Sequence, residues 1–169
     1  LDFRDSVDGN NPRCSRDLTS VSDEKWVIDF DLDITTFTAY SAGAEAARIG
    51  IGMWSTDNTT SVQSNSDFLG FFINSNGSKY NATSCDGQSL LGGTDKAFTN
   101  TPAVELLYVR MIRLDSTHFQ VTLYADSDRT EIIETQTVVT ASTVSTLRYF
   151  GVRGNGISGS TSDIRGTLV

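Results

Sequence analysis

The chain has few basic residues and no long apolar run. Its 169 residues include 13 Lys and Arg against 21 Asp and Glu, which gives a net charge of −8. Without an excess of positive charge there is no basic patch to neutralise phosphates, so nucleic acid is not expected as a partner. No apolar run reaches the roughly 18 residues that a membrane-spanning helix needs, so no membrane insertion is predicted.

Cysteine and histidine are also scarce. Cys14 and Cys85 are too far apart in sequence for a CxxC redox or zinc motif. His118, the only histidine, lies beside a predicted turn with no recognisable nucleophile motif near it. In a chain this rich in Ser, Thr and Asn, the two cysteines predict one disulfide, with two unpaired thiols as the alternative. Nothing in the sequence indicates an organic cofactor.

Hydroxyl side chains, by contrast, are abundant. Ser and Thr make up 41 residues, and 38% of the chain is hydrophobic. This balance is typical of β-strands with hydroxyl-rich outer faces, and it is sufficient for a buried core. Three N-glycosylation sequons, at Asn58, Asn76 and Asn81, lie in predicted loops. They favour an extracellular, cell-surface or virion-surface setting.

The dominant pattern is alternation with period two. Between Trp26 and Ile34 every second residue is apolar, and Asp29, Asp31 and Asp33 lie on the opposite face, which predicts a half-buried antiparallel strand. The glycines at 50 and 52 predict that another group packs closely against that face of their strand. Further strands are predicted at 48–54, 68–74, 104–114, 118–125, 131–139, 147–153 and 164–169.

These strands predict an all-β fold, either a sandwich or a barrel, and the long loops at 55–67 and 75–103 favour the sandwich. Residues 1–169 are expected to form a single domain. Both ends of the chain have strand-like alternation, so we expect the domain to be excised or processed from a longer chain.

Several strands resemble those of the concanavalin A-like lectin/glucanase superfamily, and most closely its laminin-G-like branch. The hairpin from Tyr108–Met111 to Thr122–Asp126 is similar to the central hairpin of that branch, and Leu147–Gly151 resembles its penultimate strand. The other segments that carry the resemblance are Leu18–Ser22, Trp26–Phe30, Ile49–Gly52 and Asp67–Phe71. The resemblance implies an all-β, two-sheet antiparallel jelly-roll sandwich of the concanavalin A-like kind. The family includes lectins, glycanases, adhesion domains and capsid decorations, so the resemblance does not choose a function.

Retaining glycanases of this superfamily carry their two catalytic carboxylates on one strand, two residues apart. Asp29, Asp31 and Asp33 have that spacing, which implies a glycoside hydrolase as one alternative. The family uses the longer Glu at its outer positions, and the acidic strand here comes early in the chain. The competing interpretation is a solvated outer face, and we expect the chain to be non-catalytic.

Laminin-G-like domains often bind calcium at the rim of the sandwich through oxygen ligands. The matching candidates are Asp57 and Asp67, which flank the 55–67 loop, with Asn58 nearby. Asp126 and Asp128 form a second pair, although Asp in a turn usually reflects turn chemistry.

A sugar-binding site needs an exposed aromatic ring that stacks on the sugar. Trp54, Tyr80 and Tyr40 lie at or near predicted loops and are the candidates. Trp54 ends a predicted strand, so a packed ring is the alternative there, whereas Trp26 begins a core face and is expected to be structural. The sequence therefore predicts a glycan-binding or adhesion module with glycans or glycoproteins as partners. A self-assembling structural subunit of an extracellular or viral surface is the alternative, followed by the glycanase.

Overall fold

The computed structural model describes residues 1–8, 13–19, 21–38, 48–55, 67–75, 80–86, 94–99, 106–141, 144–154 and 158–169, and every regular element in these ranges is a β-strand. The strands are β1 (Asp2–Asp8), β2 (Arg13–Asp17), β3 (Trp26–Thr38), β4 (Arg48–Trp54), β5 (Phe68–Asn74), β6 (Tyr80–Cys85), β7 (Thr94–Ala97), β8 (Leu106–Arg113), β9 (His118–Tyr124), β10 (Ile132–Val139), β11 (Tyr149–Gly154) and β12 (Ser158–Leu168).

The strands form two antiparallel sheets. Sheet A has the order β1-β12-β3-β8-β9-β10, and sheet B has the order β2-β11-β4-β5-β6-β7. The predicted all-β, two-sheet antiparallel fold is thus confirmed, whereas the single excised domain stays a prediction. In the ranges described, no helix is long and apolar enough to cross a membrane.

The core lies between the inner faces of the two sheets. In β3 the residues Phe30, Leu32 and Ile34 are buried, as the alternation predicts. From sheet B, Ile51 and Phe71 join the same cluster. Because successive strand residues point to opposite faces, burying these side chains places the intervening carboxylates of β3 on the outer face of sheet A.

The outer face of sheet B is also covered. Trp54, Phe68 and Phe72 form a second buried cluster there, with at most 2% of each side chain exposed. A Cβ built on Gly70 would lie only 2.3 Å from the Phe68 ring, and one on Gly52 would lie 2.8 Å from it. The prediction that a group packs closely against the glycine face of β4 is confirmed, and that group is the Phe68 ring.

The predicted loop at 75–103 is wrong, because β6 and β7 lie within it. Asn81 was expected in a loop as a glycosylation site, but it lies in β6 between β5 and β7 and is 6% exposed. A buried side chain between two paired strands leaves no room for an attached glycan. The other two sequons, at Asn58 and Asn76, lie outside the described residues.

The predicted disulfide is wrong as well, because both cysteines are free thiols. Cys14 is on β2 and Cys85 is on β6, at positions one and five in the order of sheet B. Four strand spacings of about 4.8 Å separate them by roughly 19 Å. A disulfide needs Cα atoms within about 7 Å, so these strand positions cannot be bridged. The alternative of two unpaired thiols is the correct one.

The two thiols should react very differently. Cys14 is exposed, whereas burial raises the pKa of Cys85 to about 12, and nearby Asp95 and Asp67 add to that rise. The thiolate is the reactive form, so a thiol-specific chromophoric reagent should titrate one cysteine in the native protein and two in denaturant. If no thiol reacts under non-reducing denaturing conditions, the two cysteines form a disulfide after all.

Candidate functional site

The outer face of sheet A carries a cluster of charged and aromatic side chains at its centre. Sheet pairing places Asp29 of β3 opposite Arg110 of β8, and Asp31 opposite Tyr108. Tyr108 in turn lies opposite Tyr124 of β9. With Arg129 from the β9–β10 turn, these residues form what we call the Asp/Arg/Tyr cluster: Asp29, Asp31, Tyr108, Arg110, Tyr124 and Arg129.

Asp29 and Arg110 form a two-pronged ion pair. The guanidinium donates from Nε to Oδ1 and from Nη2 to Oδ2, both at 2.8 Å. The hydrogen bonds from Arg110 are the largest cause of a lowered pKa at Asp29, and the same contact raises the pKa of Arg110. Such fork-shaped pairing fixes the planes of both groups, so their orientation on the sheet is well defined.

Arg129 adds a second ion pair beside the first. Its Nη2 donates to Asp31 Oδ1 at 2.6 Å, and its Nε lies 3.8 Å from Asp29 Oδ1. The arginine has a φ of 56°. The Asp126 carboxylate holds the turn by accepting from the backbone N–H of Thr130 and Glu131, and these bonds lower its pKa. Asp126 therefore performs turn chemistry in this structure.

The two guanidiniums lie over tyrosine rings. Arg129 Cζ is 5.9 Å from the centre of the Tyr108 ring, and Arg110 Cζ is 5.9 Å from that of Tyr124. Tyr124 is 7% exposed, while Tyr108 is half-buried and keeps part of its ring in solvent. The rings and ion pairs restrain one another, which makes the cluster an ordered array.

Exposed apolar side chains lie toward both ends of the same face. Five of them, on or next to β3, β8 and β10, are at least 40% exposed: Val27, Leu106, Leu114, Ile132 and Val139. A shallow depression of about 330 Å³ lies at one end of the same face, lined by Lys25, Trp26, Val27, Ile112, Arg113 and Leu114. The face thus combines a charged centre with an apolar border, a composition that is common in binding surfaces.

The aromatic residues expected to stack on a sugar lie elsewhere. Trp54 is 1% exposed, packed against Phe68 and beneath the Arg153 guanidinium at 3.9 Å, and Tyr80 is fully buried in the core. The expectation of an exposed ring is therefore wrong at both positions, because each strand places the ring in an apolar cluster. Tyr40 lies outside the described residues.

The predicted calcium rim is described only at Asp67. Its Oδ2 accepts from the backbone N–H of Ser145 at 3.1 Å, and its own N–H donates to Ser55 Oγ. Asp57 and Asn58 lie outside the described residues, and within the described ranges no three His, Cys, Asp or Glu form a group that could hold a metal ion. Calcium stays a prediction.

A buried arginine lies near this rim. Arg113 is 1% exposed, and its guanidinium donates to the carbonyls of Asp115, Ser116 and Val144. Its Nη1 is 3.9 Å from Asp23 Oδ1, which also accepts from Thr146 N–H. The Arg113 guanidinium thus stabilises the turn at 115–116 and connects it to the segment at Val144.

His118 lies in the Asp115 turn, as expected for a surface turn residue. Asp115 Oδ1 accepts from the backbone N–H of Thr117 at 2.7 Å and of His118 at 2.8 Å, and both carboxylate oxygens lie 3.0 Å from His118 Nδ1. The hydrogen bond from Thr117 is the largest cause of an Asp115 pKa of about 2.

Tyr108, Tyr124, Arg110 and Arg129 were not predicted as site residues from the sequence. The face that Tyr108 and Arg110 occupy was predictable, since the two residues alternate with the apolar residues of β8. The alternation places them on the outer face, but only the pairing of β3 with β8 shows that Arg110 faces Asp29.

Comparisons with known proteins identify no family. No protein-family model matches the chain, and no curated protein does. Among solved structures, a protein of unknown function from Shewanella oneidensis MR-1 aligns with a TM-score of 0.44 and 12% identity, over 99% of this chain and 84% of its own. A scytalido-glutamic peptidase with a transition state analog inhibitor aligns with a TM-score of 0.37 and 13% identity, over 86% of this chain and 74% of its own. At these scores the neighbours support no argument about this chain.

The Asp115 turn predicts a specific acid sensitivity. The folded-state pKa of about 2 is below the ordinary 3.8, so the stabilisation by this carboxylate is complete above pH about 4 and lost as the pH falls toward 2. The variant Asp115→Asn keeps an acceptor but cannot titrate, so its free energy of unfolding should fall less steeply over that interval. Denaturant titrations at a series of pH values measure this, and a slope equal to that of the wild type would contradict the assignment.

Proposed function

We propose that this chain is a non-catalytic extracellular module of the concanavalin A-like, jelly-roll kind that binds glycans or glycoproteins. The ligand lies on the outer face of sheet A, over the Asp/Arg/Tyr cluster. The observation that carries the proposal is the pair of adjacent ion pairs stacked on two tyrosine rings in the middle of an exposed sheet face.

A sugar matches this face in both of its properties. Its hydroxyls are donors and acceptors at fixed spacings, and carboxylates and guanidiniums held in fixed planes can accept from and donate to them. Its C–H face is apolar and suits the partly exposed Tyr108 ring and the exposed Ile132 side chain, which lies opposite Tyr124 on β10. Because the polar groups already restrain one another, little side-chain entropy is lost when a ligand binds.

The electrostatics of the same residues favour binding over glycoside hydrolysis. A glycosidase needs one carboxyl that remains protonated near neutral pH, which requires a raised pKa. Arg110 instead lowers the pKa of Asp29, and Asp31 is engaged by Arg129. Two carboxylates that are each paired with an arginine present hydrogen-bonding oxygens rather than an acid and a nucleophile.

A structural subunit of an extracellular or viral assembly is the second candidate. The exposed apolar side chains of sheet A favour it, since Val27, Ile132 and Val139 are each more than half exposed. Contacts between copies would bury them. Calcium at the 55–67 loop is compatible with either function.

The proposal is tested by a glycan-array screen of the purified domain in calcium and again in EDTA, followed by titration calorimetry with the best ligand. The variants Tyr108→Ala and Arg110→Ala should weaken binding by roughly tenfold or more, because each removes a direct contact together with the order of the cluster.

The other sheet offers matched controls. Arg148 donates to both oxygens of Asp17 at 2.7 and 2.6 Å and lies 5.5 Å from the Tyr149 ring, so the same chemistry occurs there on sheet B. Tyr149→Ala and Arg148→Ala should leave the affinity unchanged. Glycan binding that is unchanged in Tyr108→Ala but lost in EDTA would indicate a calcium-dependent site at the 55–67 loop instead. No glycan binding with calcium or with EDTA would favour the structural subunit.

A further inference from the structure

The four edges of the two sheets differ in how they are protected. An exposed strand edge offers unpaired backbone donors and acceptors to another chain, and natural proteins discourage such pairing with charged residues or very short strands. Among the described strands, β1 and β10 end sheet A, and β2 and β7 end sheet B. Three of these edges carry exposed charged side chains: Asp2 on β1, Arg16 and Asp17 on β2, and Asp95 and Lys96 on β7.

Within the described residues, the edge strand β10 carries no such protective charge. Its sequence Ile-Ile-Glu-Thr-Gln-Thr-Val-Val holds eight residues of mostly high strand propensity, with no proline and no basic residue. Its single charged residue, Glu134, lies opposite the buried Leu123 and so belongs to the inner face of sheet A. The Glu134 carboxylate accepts hydrogen bonds from Thr99 N–H at 2.9 Å and from Gln136 Nε2 at 2.6 Å. The solvent side of β10 is therefore uncharged, and Ile132 and Val139 are 60% and 62% exposed.

From this contrast we propose that β10 is a homodimer interface, at which sheet A pairs with the β10 strand of a second copy of this chain. In a symmetric antiparallel pair, the two-fold axis is perpendicular to the sheet and passes midway between one residue and its own copy. The two residues at the axis lie on the same face of the sheet. With the axis at Thr137, that threonine faces its own copy, and Thr135 faces Val139 of the second copy. Thr–Thr and Thr–Val cross-strand pairs are favourable, which makes this strand self-complementary.

The pairing joins the six strands of sheet A to the six of the second copy in one continuous sheet. Both outer faces then lie on the same side of the dimer, which makes any ligand site there bivalent. The inference does not depend on the ligand, because it rests on the edge strands alone.

The test is sedimentation velocity of the full chain from micromolar to submillimolar concentration. The wild type should sediment as a dimer in the upper part of this range. In the variant Thr137→Lys two like charges face each other at the axis, and the dimer dissociation constant should rise about tenfold or more.

Thr94→Lys is the matched control, since it places the same charge at an exposed threonine on β7, the edge of sheet B. This variant should dimerise like the wild type. If Thr137→Lys loses its near-ultraviolet circular dichroism, Val139→Lys provides the same test at a second exposed position. A wild type that stays monomeric throughout the range, or a dimer that tolerates lysine at both positions, overturns the inference.

Discussion

The contact between the inner faces of the two sheets is the constraint on which the other features depend. The side chains that β3 buries against sheet B are Phe30, Leu32 and Ile34. The alternate residues of β3 must therefore lie on the outer face of sheet A. The register that aligns the buried residues of β3 and β8 also places Arg110 opposite Asp29. The candidate site is thus a consequence of core packing, since a one-residue slip would separate its ion pairs and expose the core.

The two outer faces of the sandwich are used differently. On sheet B, Trp54, Phe68 and Phe72 are buried over the glycines of β4 and β5, so that face contributes a second apolar cluster to stability. On sheet A the equivalent face carries ion pairs, tyrosines and exposed aliphatic side chains. Within the described residues, this asymmetry leaves sheet A as the face that is open to a ligand or to another protein.

Features set by local periodicity could be predicted from the sequence, and features set by pairing could not. The alternation in β3 and the Asp115 turn were readable, because both arise within a few neighbouring residues. The Cys14–Cys85 disulfide was wrong because the positions of β2 and β6 in sheet B are determined by strand order. Trp54 was misplaced for a related reason: its strand position was predicted, but the Phe68 and Arg153 side chains that cover it belong to other strands.

We propose that the ligand binds to the outer face of sheet A. A titration of the isotopically labelled protein with a glycan, followed by backbone and arginine side-chain NMR, tests it most directly. The largest shift changes should map to Tyr108, Arg110, Tyr124 and Arg129, and the signals of the matching Asp17–Arg148 pair on sheet B should be unaffected. Shift changes confined to sheet B or to the 55–67 loop would contradict it.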